Sequence, residues 1–328
     1  MPDAPKYVDL LVVSPSLPAF DHNAGSYRLY MILRILSARY RVAFLTTDAQ
    51  ADPDTARYVR ALDDLGIQVS STALQSSCQL FQKVSGAVVF EFFKTAEPHL
   101  RWLRVRRPDL PIAVDSVDLH FLRESRASKY SAQPELARRR AAQTQKREIR
   151  VYQQADLVIT VTDEDRAALM REAPGTRVRV VPNIHQVRAS APSFAERRPH
   201  SLLFVGGFLH PPNVDAVIFF CRGILPLVRE RLPDISLTVV GHRPPKEILD
   251  LQQAGVLVTG WVPDVLPYLD IHCVWIAPLR FGAGMKGKIT GLPNGSFTLA
   301  ACNERACTAT VAATTDQIKN AGSVTLSP

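Results

Sequence analysis

What most constrains the fold of this chain is a repeated alternation, in which short and nearly uninterrupted apolar runs are separated by segments long enough for a helix. Val8–Ser14 is apolar apart from Asp9 and stops at Pro15; Arg41–Thr46 is a second run, and Tyr27 to Arg39 between them places apolar residues at helical spacing. The rhythm returns at Ala87–Phe90, Ile112–Asp115, Leu157–Val161 and Val178–Val181. Strands that are apolar on both faces and alternate with amphipathic helices imply a parallel sheet covered on both sides. The first part of the chain therefore reads as doubly wound α/β.

Pro182-Asn183 closes that part, and the polar, proline-containing stretch from His185 to His200 reads as a linker. A second cycle follows. Leu202–Val205 is a strand ending at Gly206-Gly207, Asn213 to Arg231 is helical, Ser236–Val240 ends at Gly241, and Val256–Thr259 ends at Gly260. His272–Ala277 then delivers the loop Pro278–Ile289. The expected division is a domain over 1–183, a linker over 184–200, a second and apparently incomplete domain over 201–289, and an atypical tail over 290–328. In that tail Ala, Thr, Asn and Ser dominate, and the one periodic segment is a short helix near Thr315–Asn320. It reads as a replaced or shifted carboxyl terminus.

Glycine or proline at the carboxyl end of each strand, with a helix after it, is where open α/β sheets place ligands. The loop Pro278–Ile289 concentrates this signal, because Gly282, Gly284 and Gly287 are interleaved with Arg280, Lys286 and Lys288. Glycine lets backbone N–H groups approach an anion, and the cations supply the charge a diphosphate requires. The bland alternative is a basic surface turn.

Charge and cysteine content narrow the remaining classes. The net charge of +8 favours acidic partners, and the basic blocks Arg101–Arg107 and Arg138–Arg150 carry much of it. Glu135 and Glu148 interrupt the second block, which suits a solvated helix face; contact with an anionic membrane surface is the other reading. Nucleic acid is disfavoured, since no zinc-finger spacing or aromatic-spaced basic strand is present. The five cysteines lack metal-ligand spacing and fit free thiols, so no metal site is expected. No signal peptide and no apolar run of bilayer length are seen, which points to the cytoplasm.

Four segments in this order resemble a family 4 (group 1) glycosyltransferase of the GT-B fold, over about residues 10–289. They are the turn Asp21–Arg28 containing Gly25, the segment Val114–Glu124 containing His120, the opening Leu203–Phe208 with His210–Asn213 behind it, and the loop Pro278–Ile289. The resemblance implies two Rossmann-like domains facing a cleft. It also implies retaining transfer of a sugar from a nucleotide-diphosphate donor to an acceptor hydroxyl, without a cofactor or metal, in cell-surface or lipid-linked saccharide synthesis. His120 and Lys288 would be catalytic. Gly25, Gly206, Gly207, Asn213, Arg280, Gly282, Gly284 and Lys286 would bind the donor, and Asp115 and Asp118 are candidates for acceptor contacts, with a helix cap the other reading of Asp115, Asp118 and Asn213. The partners would be a nucleotide sugar and a saccharide or lipid-linked acceptor, with peripheral contact to the inner face of the cell membrane.

Two departures stand beside the resemblance. Phe208, Leu209 and His210 occupy the place where many relatives carry a phosphate-binding cation, and Gly291 lies where a ribose-binding glutamate is expected. An inactive remnant that binds nucleotide weakly and a GT-B nucleotide-sugar epimerase are the rival readings. A dinucleotide oxidoreductase is disfavoured, because the first strand lacks the G-x-G-x-x-G turn.

Overall fold

The structure is a computed structural model that describes residues 8–47, 54–71, 74–184, 192–283, 296–302 and 307–314. Contacts divide the chain into two compact units, the first centred on Ala24–Ile184 and the second on His185–Gly282. Each is built on one sheet.

In the first unit the order is β1 (Val8–Ser14), α1 (Ala24–Ser37), β2 (Val42–Thr46), α2 (Thr55–Asp63), β3 (Gln68–Ser71), α3 (Leu74–Gln82), β4 (Val84–Glu91), α4 (Phe93–Arg106), β5 (Ile112–Asp115), α5 (His120–Ser128), α6 (Pro134–Gln154), β6 (Leu157–Thr160), α7 (Asp163–Glu172) and β7 (Val178–Val180). The seven strands are parallel in the order β3-β2-β1-β4-β5-β6-β7. Alternation along β1 explains why the strands read as continuously apolar. Leu11 and Val13 enter one core with Val88, Phe90 and Val114, whereas Val12 enters another with Leu29, Leu33 and Phe44. Both faces of the sheet are buried, as a doubly wound sheet requires.

The second unit contains β8 (Arg198–Val205), α8 (Pro211–Phe219), a π turn (Phe220–Ile224), α9 (Leu225–Arg229), β9 (Ser236–Val240), α10 (Lys246–Leu249), β10 (Val256–Gly260), α11 (Leu266–Ile271), β11 (His272–Ile276), β12 (Ser296–Cys302) and β13 (Cys307–Thr314). Its sheet order, β10-β9-β8-β11-β12-β13, repeats that of the first. β8 starts at Arg198 rather than Leu202. Its first three residues, Arg198, Pro199 and His200, are exposed and add nothing to the apolar run, while the next four are buried.

Two differences from the sequence reading concern this unit. β12 and β13 occupy part of the stretch in which no strands are expected, so the sheet has six strands where four are expected. β12 pairs in parallel with β11, Trp275 opposite Leu299 and Ile276 opposite Ala300, and β13 pairs antiparallel with β12. Small residues and threonines hide such strands, because backbone pairing needs no apolar alternation. The expected helix near Thr315–Asn320 lies outside the described residues.

The other difference is the continuous helical stretch Pro211–Arg229, which is long and apolar enough by length and composition to cross a membrane. Ala216, Val217, Phe220, Cys221, Ile224 and Leu225 from it pack with Leu237, Val239 and Val258 of the sheet. It is the central helix of this unit's core.

Candidate functional site

In both sheets the strand order reverses direction between the first and fourth strands, β1/β4 in one and β8/β11 in the other. Open α/β sheets bind ligands outside the carboxyl ends of strands at such a switch point. The polar side chains gather there.

In the first unit, Ser14 at the end of β1 donates its hydroxyl to Glu91 Oε2 at the end of β4, at 2.5 Å. Glu91 is fully enclosed, and burial pushes its carboxyl up to about 7 against the pull of the Ser14 hydrogen bond. Beside it, Arg28 of α1 donates to Asp115 Oδ2 at 2.5 Å, and its Nε and Nη2 donate to the Val181 carbonyl at 3.2 and 2.9 Å. Both partners of this ion pair are buried. Asp115, expected to contact an acceptor, is thus turned onto Arg28.

His120 opens α5, just past the turn that follows β5. The preceding turn is strained, since Val117 adopts φ 55° and Phe92, at the end of β4, adopts φ 65°. Such non-glycine left-handed residues cost on the order of 1–3 kcal/mol each and cluster at functional sites. The imidazole is buried, with the Phe92 and Phe93 rings edge-on at 5.5 and 5.3 Å. Its Nδ1 lies 3.5 Å from Asp118 Oδ1 and 3.9 Å from Glu148 Oε1. Asp118 is ion-paired with Arg123; burial pushes its carboxyl up and Arg123 opposes this. Gly25 lies in the first turn of α1.

In the second unit the turn after β8 is held from three sides. Gly206 N–H donates to the Val240 carbonyl at 2.9 Å, and the Asn213 side-chain amide donates to the Gly207 carbonyl at 2.6 Å. The third contact is Gly241, where an added Cβ would stand 2.1 Å from the Gly206 carbonyl oxygen. Only glycine fits that approach. Asn213 is therefore not the N-cap residue of α8, a position held by His210.

After β11, Arg280 donates from Nε to Asp215 Oδ2 at 3.0 Å, with a second contact from Nη2 to Oδ1, and its guanidinium stacks 4.8 Å from the Phe219 ring centre. Arg280 thus has a carboxylate partner on α8. Gly282 adopts φ 154°. Gly284, Lys286 and Lys288 lie outside the described residues.

Sequence reasoning missed Ser14, Arg28, Glu91, Glu148 and the close approach at Gly241. It placed Glu148 on a solvated basic face, whereas the side chain is completely buried. The available signal was the spacing of Ala141, Glu148, Val151 and Tyr152, which share the inward stripe of α6.

Two Rossmann-like sheets in one chain, alike in the order of six strands and parallel apart from β13, define the GT-B class. The chain is similar in fold to a sucrose-phosphate synthase from Thermosynechococcus elongatus, with a TM-score of 0.61, 12% identity, and coverage of 89% of this chain and 81% of that one. It is likewise similar to an α,α-trehalose-phosphate synthase (UDP-forming) from Burkholderia xenovorans solved with glucose-6-phosphate, with a TM-score of 0.54, 12% identity, and coverage of 89% and 84%.

Residues 199–291 match the family described as glycosyl transferases group 1. A stretch of 97 residues is 27% identical to an uncharacterized 44.6 kDa protein in the cps region of Klebsiella pneumoniae, covering 27% of this chain. The match spans 25% of that protein's length.

Proposed function

We propose that this chain is a glycosyltransferase that moves a sugar, with retention, from a nucleotide-diphosphate sugar to an acceptor hydroxyl in cell-surface or lipid-linked saccharide synthesis. The observation that carries the reading is the match of residues 199–291 to the group 1 glycosyl transferases. The strained, buried constellation around His120 supports it from the other unit.

Charge is the physical problem in such a transfer. As the bond from sugar to phosphate breaks, negative charge grows on the leaving diphosphate while the sugar becomes oxocarbenium-like. Fixed donors and cations stabilise that state more than the ground state. The β8/β11 switch point suits the diphosphate, with Gly206 and Gly207 offering backbone and Asn213 bracing the turn. Arg280, Lys286 and Lys288 would supply the cationic charge, with Gly282 and Gly284 keeping the loop's backbone accessible. Gly25, near the positive end of α1, would add N–H groups. His120 would hold a sugar hydroxyl. The reading requires neither metal nor cofactor.

The exposed basic side chains of the first unit support a reading in which the acceptor is at a membrane. Arg101, Arg106, Arg139, Arg140, Lys146 and Arg150 are exposed on α4 and α6 of the first unit, and each cation near an anionic leaflet contributes about 1 kcal/mol. The protein would act in the cytoplasm at the inner membrane face.

The test is turnover of a panel of nucleotide sugars with membrane extract as acceptor, reading release of nucleoside diphosphate. Release that depends on extract and is lost in Lys288→Ala is expected. Saturable nucleotide binding without transfer would refute the proposal, as would conversion of free nucleotide sugar with no acceptor present.

A further inference from the structure

We infer that Glu148 is a positioning residue for His120, fixing the helix start that carries it and helping to set which of its ring nitrogens holds the proton. The inference rests on the glycosyltransferase reading for its catalytic consequence.

α5 lacks an ordinary N-terminal cap, because its N-cap residue is Leu119, which has no side-chain oxygen. The first backbone donors of a helix must still be satisfied when buried. Glu148 performs this from another helix. Its Oε1 accepts the His120 N–H at 3.1 Å and its Oε2 the Phe121 N–H at 2.8 Å. The carboxylate is set in turn by the Tyr152 hydroxyl, which donates to Oε1 at 2.7 Å from one turn further along α6. Tyr152 is itself fully buried.

The same carboxylate lies 3.9 Å from His120 Nδ1, with Asp118 Oδ1 at 3.5 Å. Two carboxylates beside Nδ1 favour a proton on that nitrogen. The neutral ring then presents Nε2 as an acceptor, suited to a sugar hydroxyl. The Phe92 and Phe93 edges limit rotation of the ring. Glu148 thereby sets the backbone position of His120 and, together with Asp118, its tautomer. Burial pushes the Glu148 carboxyl up to about 7, against the Tyr152, Phe121 and His120 hydrogen bonds.

The ionisable groups around this pair are Asp115 from β5, Asp118 from the following turn, Arg123 and Glu124 from α5, Tyr152 from α6 and Asp165 from α7. Glu148→Gln leaves all of them in place. With ¹⁵N-labelled imidazoles, the variant is expected to change the pH profile of the His120 ring signals, because the carboxyl that titrates at about 7 beside Nδ1 is gone. His99 and His272, buried elsewhere, should not move. In turnover, kcat should fall roughly 10- to 100-fold from misplacement of the ring, with KM for the nucleotide sugar unchanged.

A folded Glu148→Gln protein whose His120 pH profile and tautomer equal those of the wild type would overturn the inference, whatever its melting temperature. The wild type provides a second reading that needs no variant. The His120 and Phe121 amide shifts and the His120 ring should follow one shared titration; amides that titrate while the ring stays still would also overturn it. Turnover decides separately whether the chain is a glycosyltransferase, because neither titration uses activity.

Discussion

Replacing Arg28 by methionine removes a side chain that joins α1, the end of β5 and the residue following β7. The guanidinium contacts Asp115 at 2.5 Å and the Val181 carbonyl through two nitrogens, and its side chain is 1% exposed against 6% for Asp115. Removing one partner of a buried ion pair costs about 3–5 kcal/mol, because the other charge stays behind without compensation. The Val181 carbonyl also loses its donors, a penalty of about 1–3 kcal/mol that overlaps with the first. A loss of about 4 kcal/mol is expected, which for a unit of this size lowers its melting point by roughly 8–16 °C. The two units need not melt together. Trp102 fluorescence, recorded in a Trp261→Phe/Trp275→Phe background, isolates the first. Adding Asp115→Asn to Arg28→Met removes the stranded charge and should recover at least half of the loss. A single-variant loss below about 1 kcal/mol, or a double variant showing the plain sum of its parts, would refute the view that this pair holds the three elements together.

Two further outcomes test the switch points. Glu91 has a folded-state pKa of about 7 against an ordinary 4.5, so its contribution is complete below about pH 4.5 and is lost as the pH rises to 7. The loss amounts to about 3 kcal/mol; Glu91→Gln should flatten this limb in denaturation curves at successive pH values, and an unchanged slope would count against a buried, neutral Glu91. His99, held below its ordinary value by burial, works in the opposite sense as the pH falls, and it cancels in the difference between the two proteins. In the second unit, Gly241→Ala drives a methyl into the Gly206 carbonyl and should destabilise that unit by about 1–3 kcal/mol. An unaltered Trp275 unfolding transition would show that the turn yields without cost.

Legibility of the sequence followed the kind of signal each element leaves. β2, β5 and β9 are buried almost throughout, as is the carboxyl-terminal half of β1, and continuous apolar runs announced them. β3 is half exposed and β12 and β13 are rich in small residues, so each depends on backbone pairing with a neighbour that the sequence does not display. His120, Gly206, Gly207 and Asn213 stood out because they sit beside strand ends, where turn chemistry is visible locally. Their supports did not. Arg28 and Asp115 are 87 residues apart and Ser14 and Glu91 are 77 apart, and such pairings become visible only when the strand order brings the carboxyl ends together. Glu148 misled for a related reason. Its neighbours in sequence are cations, whereas its neighbours in space are backbone N–H groups of a different helix.

The Arg28 guanidinium carries one further consequence, for the order of events during synthesis. Its acceptor at Val181 lies 153 residues downstream, and at about 5–20 residues per second the ribosome needs roughly 8–30 s to supply it. For that interval α1 and the sheet around it hold a cation with an unfinished set of acceptors. The first unit is therefore expected to complete this set of contacts only after its last strand has emerged, as the chain leaves it for the second unit.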